Sequence, residues 1–152
     1  MSIKIKAVTD DNRAAILDLH VSQNQLSYIE SAKVCLEDAK ECLYYKPVGL
    51  YSEGDLVGFA MYGLFPEYDE DNKNGRVWLD RFFIDEHYQG KGLGKKMLKA
   101  LIQHLAELYK CKRIYLSIFE NNIHALRLYQ RFGFHFNGEL DFNGEKVMVK
   151  EL

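Results

Sequence analysis

The sequence predicts one mixed α/β domain, with helices flanking a central twisted sheet. Three observations predict it. Segments rich in branched and aromatic residues recur along the chain, as in Val77-Trp78-Leu79-Asp80-Arg81-Phe82-Phe83-Ile84. Between such segments the apolar period changes to that of a helix, so that Leu93, Met97, Leu101, Leu105 and Leu108 share one face. The chain has 152 residues and 47% hydrophobic content, enough for one core, with no repeat or low-complexity linker.

The elements follow in order. Ile3 to Val8 alternates as a strand. Asp10 or Asp11 can cap a helix carrying Ile16, Leu17 and Leu19. A second helix is predicted from about Ser31 to Tyr44, with Val34, Cys35, Leu36 and Ala39 inward and Pro47 marking its end. Val48 to Ser52 and Leu56 to Leu64 flank Glu53-Gly54-Asp55, a hairpin turn. Pro66 to Gly75 is a polar acidic loop. Arg76 to Ile84 is a strand, followed by a glycine-rich turn and a helix to about Tyr109. Arg113 to Phe119 is a buried strand. Asn121 or Asn122 caps a helix that ends before Gly133. Phe134 to Leu140 and Glu145 to Lys150 form a last hairpin around Asn143-Gly144.

Composition removes several classes of function. No apolar run reaches the length of a membrane span, and the N-terminus lacks a signal-peptide core, so a cytoplasmic protein without membrane contact is expected. The three cysteines, Cys35, Cys42 and Cys111, form no CxxC pair, and the five histidines show no ligand spacing, so no metal is expected. Net charge is −2 but unevenly spread. Residues 1–80 carry 8 basic and 14 acidic side chains, net −6; residues 81–152 carry 12 and 8, net +4. Ordinary solvated surface accounts for any single charge, but the split suits an anionic ligand on the C-terminal half and a cationic one on the other. No dense basic patch argues for nucleic acid.

Gln89-Gly90-Lys91-Gly92-Leu93-Gly94 joins the aromatic strand to the helix that follows. Strand, glycine turn and helix start present free backbone N–H groups to a phosphate, and glycines let the backbone approach it closely. Lys91, Lys95 and Lys96 add positive charge there. The string is neither a Walker A loop nor a GxGxxG fingerprint. On glycines alone, a plain turn before an amphipathic helix explains it as well.

The neighbouring residues decide between these readings. The segment from Leu79 to Gly94 resembles the acyl-CoA-binding motif of the GCN5-related N-acetyltransferase (GNAT) superfamily: a hydrophobic strand, a short turn, then (Arg/Gln)-x-x-Gly-x-(Gly/Ala). About thirty residues on, Asn122-Ile123-His124-Ala125-Leu126-Arg127-Leu128-Tyr129-Gln130-Arg131-Phe132-Gly133-Phe134 resembles the superfamily's Asn-x-x-Ala-x-x-(Leu/Phe)-Tyr-x-x-x-Gly-Phe. Two motifs in this order and separation make the resemblance specific. Within the superfamily the chain is most similar to bacterial spermine/spermidine (diamine) N-acetyltransferases of the type associated with multidrug efflux.

The resemblance implies a mostly antiparallel sheet in which two parallel strands, Arg76–Ile84 and Arg113–Phe119, splay apart around acetyl-CoA. It implies that the backbone of Phe82, Phe83 and Ile84 pairs with the pantetheine arm like an added strand, and that one N–H there polarises the thioester carbonyl. Gln89, Gly90, Lys91, Gly92, Leu93, Gly94 and Lys95 would surround the pyrophosphate, and Asn122 would lie near the pantetheine. Tyr129 matches the family's general acid for the departing thiolate. It lies seven residues after Asn122, two helical turns along one face. Without the Asn-x-x-Ala frame it would read as one of ten tyrosines in a core.

Asp80 is the candidate base. Alternation along the strand puts Asp80, Phe82 and Ile84 on one face. A carboxylate in so apolar a strand is costly to bury unless paired or functional, and an ion pair with Arg76 or Arg81 explains it equally well. Polyamine acetyltransferases commonly carry an acid here. Some carry a second acid beside it, where this chain has Arg81. Further cation-binding carboxylates are sought among Glu30, Glu37, Glu41 and Glu67-Tyr68-Asp69-Glu70-Asp71.

The function expected is therefore acetyl transfer from acetyl-CoA to a primary amine of spermine or spermidine, by direct attack in a ternary complex. No cysteine or serine lies in a recognised nucleophile motif. The alternatives are another acceptor amine (a drug, an amino acid or a protein N-terminus) and a non-catalytic acyl-CoA-binding module. A homodimer is left open.

Overall fold

The computed structural model describes residues 2–20, 32–66, 75–141 and 143–152. Ile3–Ala7 (β1) leads through a turn to Arg13–Leu17 (α1), and Ala32–Glu41 forms α2. Three antiparallel neighbours follow: Lys46–Ser52 (β2), Asp55–Phe65 (β3) and Arg76–Ile84 (β4). A 3-10 turn at Glu86–Tyr88 precedes Leu93–Tyr109 (α3). Arg113–Ile118 (β5), Ile123–Arg131 (α4), His135–Leu140 (β6) and Lys146–Glu151 (β7) complete the chain. The seven-stranded sheet has the order β1-β2-β3-β4-β5-β7-β6. Its pairs are antiparallel except β4 with β5.

Local chemistry explains most boundaries. The β2–β3 hairpin turns on Glu53 and Gly54, both at positive φ (52° and 86°), which suits the right-handed twist of the flanking strands. Asn12, not Asp10 or Asp11, precedes α1. Its carboxamide is engaged with the chain before the helix, accepting from the Thr9 N–H (2.7 Å) and donating to the Ala7 carbonyl (3.0 Å). The second helix is shorter than expected, ending at Glu41. Pro47 lies inside β2.

Each face of the sheet carries a cluster. On one side, Leu93, Met97, Leu98, Leu101 and Leu105 of α3, with Tyr129 of α4, pack on Val77, Leu79, Ile84, Ile114 and Leu116. On the other, Ile16 of α1 and Ala32, Cys35 and Leu36 of α2 cover Phe59, Met61 and Phe83. Two inward assignments fail. Val34 and Leu108 are exposed, at 41% and 52%: Val34 lies outside the stripe of Ala32, Cys35 and Leu36, whereas Leu108 lies on the buried stripe of α3 but in the last turn of the helix.

Candidate active site

Two irregularities in the sheet shape the site. The first is the parallel contact, which pairs in register at Trp78↔Tyr115 alone among the described residues. Both strands continue beyond that pair, β4 to Ile84 and β5 to Ile118. The β4 segment Phe82–Ile84 pairs on its other edge with Gly58–Ala60 of β3. The edge of Phe82, Phe83 and Ile84 that faces β5 therefore carries backbone groups outside any ladder, a row that an extended ligand can pair with.

The second irregularity is a bulge in β4. Met61 pairs with Arg81 and Tyr62 with Leu79, so Asp80 is the residue inserted between them in β4. A bulge re-aims side chains and increases local twist. It also corrects the expectation that Asp80, Phe82 and Ile84 share a face. Phe82 and Ile84 pack on the α3–α4 cluster, whereas Asp80 acts on Tyr45, which packs against the clusters of the opposite face. Tyr45 has its phenol pushed up to about 12, first by burial and next by the Asp80 charge.

Arg76 pairs with Glu139 (2.9 Å). Arg81 donates from Nη1 to the backbone carbonyl of Asp80 (3.0 Å) and brings Nη2 to 3.9 Å from the Asp38 carboxylate. Asp38 went unnoticed in the sequence, since nothing in α2 distinguishes it from Glu37 or Glu41. Glu30 and the Glu67–Asp71 segment lie outside the described residues.

The turn after β4 is closed by one side chain, Gln89, and bends at two glycines. Gln89 Nε2 donates to the Ile84 carbonyl (2.8 Å), closing the turn onto the strand end. Gly90 and Gly92 both have positive φ, 77° and 76°, and a Cβ at either would point into open space. Gly92 caps α3, whose first N–H groups have no acceptor within the helix. Lys91 and Lys95 are exposed at this end, with Lys91 Nζ lying 5.4 Å from the Tyr88 ring centre. Leu93 is buried in the core and Gly94 is close to Leu128 of α4. These two fix the helix start, while the glycines and lysines are turned toward solvent.

Asp85 is a second residue missed in the sequence. It is 4% exposed. Its Oδ2 accepts from the His20 N–H (2.8 Å), and its Oδ1 accepts from the His87 N–H (2.9 Å) and lies 2.7 Å from His87 Nδ1. Burial pushes its pKa up, but the hydrogen bonds from His20 and His87 and the His87 charge outweigh it and hold the carboxyl below its usual range. It ties the turn after β4 to the segment after α1. Asp85-Glu86-His87 does carry a local signal, a carboxylate accepting from the N–H two residues on; the bond to His20 carries none.

On the other side of the gap, Asn122 caps α4 without using its carboxamide for the cap. Tyr129, two turns along, is buried, with its ring edge-on to Phe134 at 5.7 Å. Burial raises its pKa, so the phenol keeps its proton throughout the neutral range. Among the described residues no three metal-ligating side chains cluster, and no helix is long and apolar enough to cross a membrane.

A family model described as "Acetyltransferase (GNAT) family" matches residues 13–134. The chain belongs to that family. As a GNAT protein it is 95% identical over 152 residues, covering all of both chains, to a spermine/spermidine N(1)-acetyltransferase of Bacillus subtilis (strain 168). It has the same identity and coverage with a probable spermine N(1)-acetyltransferase of Bacillus subtilis subsp. natto (strain BEST195). Its GNAT fold matches a crystal structure of aminoglycoside acetyltransferase AAC(6')-Ib in complex with coenzyme A. That match has a TM-score of 0.78 and 20% identity, covering 99% of this chain and 95% of that one. The seven-stranded, mostly antiparallel sheet with one parallel pair is therefore the GNAT architecture that the motifs imply.

Proposed function

We propose that the chain transfers the acetyl group of acetyl-CoA to a primary amine of spermine or spermidine. The observation that carries this reading is full-length 95% identity to the spermine/spermidine N(1)-acetyltransferase. The gap between β4 and β5, facing the Gly90–Gly92 turn, supports the CoA half of it.

Acetyl-CoA is the cosubstrate in this reading. Its pantetheine arm pairs with the open edge of Phe82, Phe83 and Ile84. Its pyrophosphate meets Gly90, Lys91, Gly92 and Lys95 and the first N–H groups of α3, with Gln89, Leu93 and Gly94 holding the turn. Asn122 offers its spare carboxamide to the arm. Positive φ at both glycines and open space above them suit a backbone that approaches an anion closely.

Two proton transfers must then be served. An alkyl ammonium, with a pKa of roughly 10, must lose a proton before it attacks. Asp80 is the carboxylate on β4 that can accept it, directly or through a water. The amine adds to the thioester carbonyl, whose developing oxyanion is met by a β4 backbone N–H. The tetrahedral species expels the thiolate, Tyr129, still protonated, donates to the sulfur, and the surplus proton on the acylated nitrogen returns the phenolate to the phenol.

The test is release of free thiol on mixing the protein with acetyl-CoA and a panel of amines. Turnover with spermine and spermidine above the rest supports the reading. Turnover confined to an aminoglycoside, an amino acid or a peptide replaces the acceptor. Acetyl-CoA binding without turnover on any amine reduces the chain to a binding module.

A further inference from the structure

Among the described residues, the cluster around the β4 bulge contains two carboxylates and one guanidinium. Asp80 is the inserted residue, and Arg81 follows it in register opposite Met61. Arg81 is held at both ends: Nη1 on the Asp80 carbonyl at 3.0 Å, Nη2 at 3.9 Å from Asp38 of α2. Its side chain is 21% exposed and that of Asp38 41%, so solvent reaches the pair. All three charged groups act on the single phenol of Tyr45, which puts them in one electrostatic neighbourhood.

We infer that Arg81 and Asp38 set the charge requirement of the acceptor site, Arg81 acting as a resident cation that competes with the acceptor's ammonium groups and Asp38 drawing that cation aside. This inference rests on the polyamine reading above and deepens it. Among the described residues the cluster carries one net negative charge. Removing the guanidinium leaves two negative charges for an incoming polycation; removing the Asp38 carboxylate leaves none and releases the Nη2 end of the arginine toward the substrate. The two substitutions must therefore move polyamine affinity in opposite directions. Each shift must grow with the number of ammonium groups on the acceptor, because each such group interacts with the same local field. A residue that merely packs would weaken both variants alike, through loss of order in the β4–α2 contact.

The experiment compares KM for spermine, spermidine and a simple alkyl monoamine at saturating acetyl-CoA, in the wild type, Arg81→Gln, Asp38→Asn and the double variant. Thermal unfolding and the KM for acetyl-CoA monitor the fold. For partly exposed charges the expected effect on spermine KM is about two- to fivefold, downward in Arg81→Gln and upward in Asp38→Asn. The monoamine moves less in both, and the double variant does not equal the sum of the singles, since the two residues share one interaction. Shifts in the same direction, or equal shifts for spermine and the monoamine, would overturn the inference while leaving the polyamine reading intact. A wild type that turns over no polyamine overturns both. If Arg81→Gln unfolds, Arg81→Lys, which keeps the charge but not the fork, must leave the ranking of acceptors unchanged; a changed ranking counts against a role for charge.

Discussion

Trp78 and Tyr115 form the register pair between β4 and β5, with ring centres 5.4 Å apart and planes tilted by 38°. The Arg76 guanidinium lies 4.3 Å from the centre of the Tyr115 ring and reaches Glu139 on β6. This stack closes the end of the gap, so the two strands are joined where they start and separate beyond it. Tyr115→Ala removes the ring from both contacts. It is expected to cost about 2 kcal/mol, or roughly 4–8 °C in Tm for a chain of this size, and to raise KM for acetyl-CoA. Tyr115→Phe should do neither. Thermal unfolding with steady-state kinetics checks both, and an unchanged Tm in the alanine variant would rule out the stack as the strut.

Gly92 caps α3 at φ 76°. A side chain there meets no protein atom, but a left-handed backbone costs a non-glycine residue roughly 1–2 kcal/mol, and the Cβ would stand between backbone and pyrophosphate. Gly92→Val should weaken CoA binding about tenfold or more, the change that about 1.4 kcal/mol produces, in a protein that remains folded. Calorimetric titration with CoA measures it; unchanged affinity would move the pyrophosphate elsewhere.

Tyr129→Phe keeps the ring against Phe134 and removes only the hydroxyl. A drop in kcat of about 10²–10⁴ is expected if proton transfer to sulfur limits the rate, with little change in CoA affinity. Full activity across the pH range would make Tyr129 a packing residue only.

Asp85 ties stability to acid. Its folded pKa lies below the unfolded value, so its contribution is fully present above the unfolded pKa of about 3.9. That contribution is lost as pH falls through the lower folded value. Asp85→Asn should lower stability at neutral pH by about 1–3 kcal/mol and flatten the decline of Tm below about pH 4. A variant with the wild-type acid profile would show that the three hydrogen bonds carry no linkage.

What the sequence revealed depended on whether the signal was local. The β4 strand, its glycine turn and the start and end of α3 were legible because composition, periodicity and punctuation change within a few residues. The Glu53–Gly54 turn was legible for the same reason. The bulge was not: alternation assumes a two-residue period, and an inserted residue at Asp80 shifts every side chain after it. Nor were Asp85–His20 and Asp38–Arg81 legible, since their partners lie 65 and 43 residues away. The motif residues Gly90, Gly92, Asn122 and Tyr129 could be named only because their two segments resemble the motifs of a known family.

The central claim is that a cationic polyamine is the acceptor, drawn by negative potential near Asp80. It is tested most directly by kcat/KM for spermine, spermidine and a simple monoamine with acetyl-CoA, each at low and at physiological ionic strength. The account predicts spermine and spermidine above the monoamine. It also predicts a polyamine KM that rises with salt, because attraction between exposed charges is screened over roughly 8–10 Å. Preference for a neutral or anionic acceptor, or a polyamine KM indifferent to salt, would contradict it.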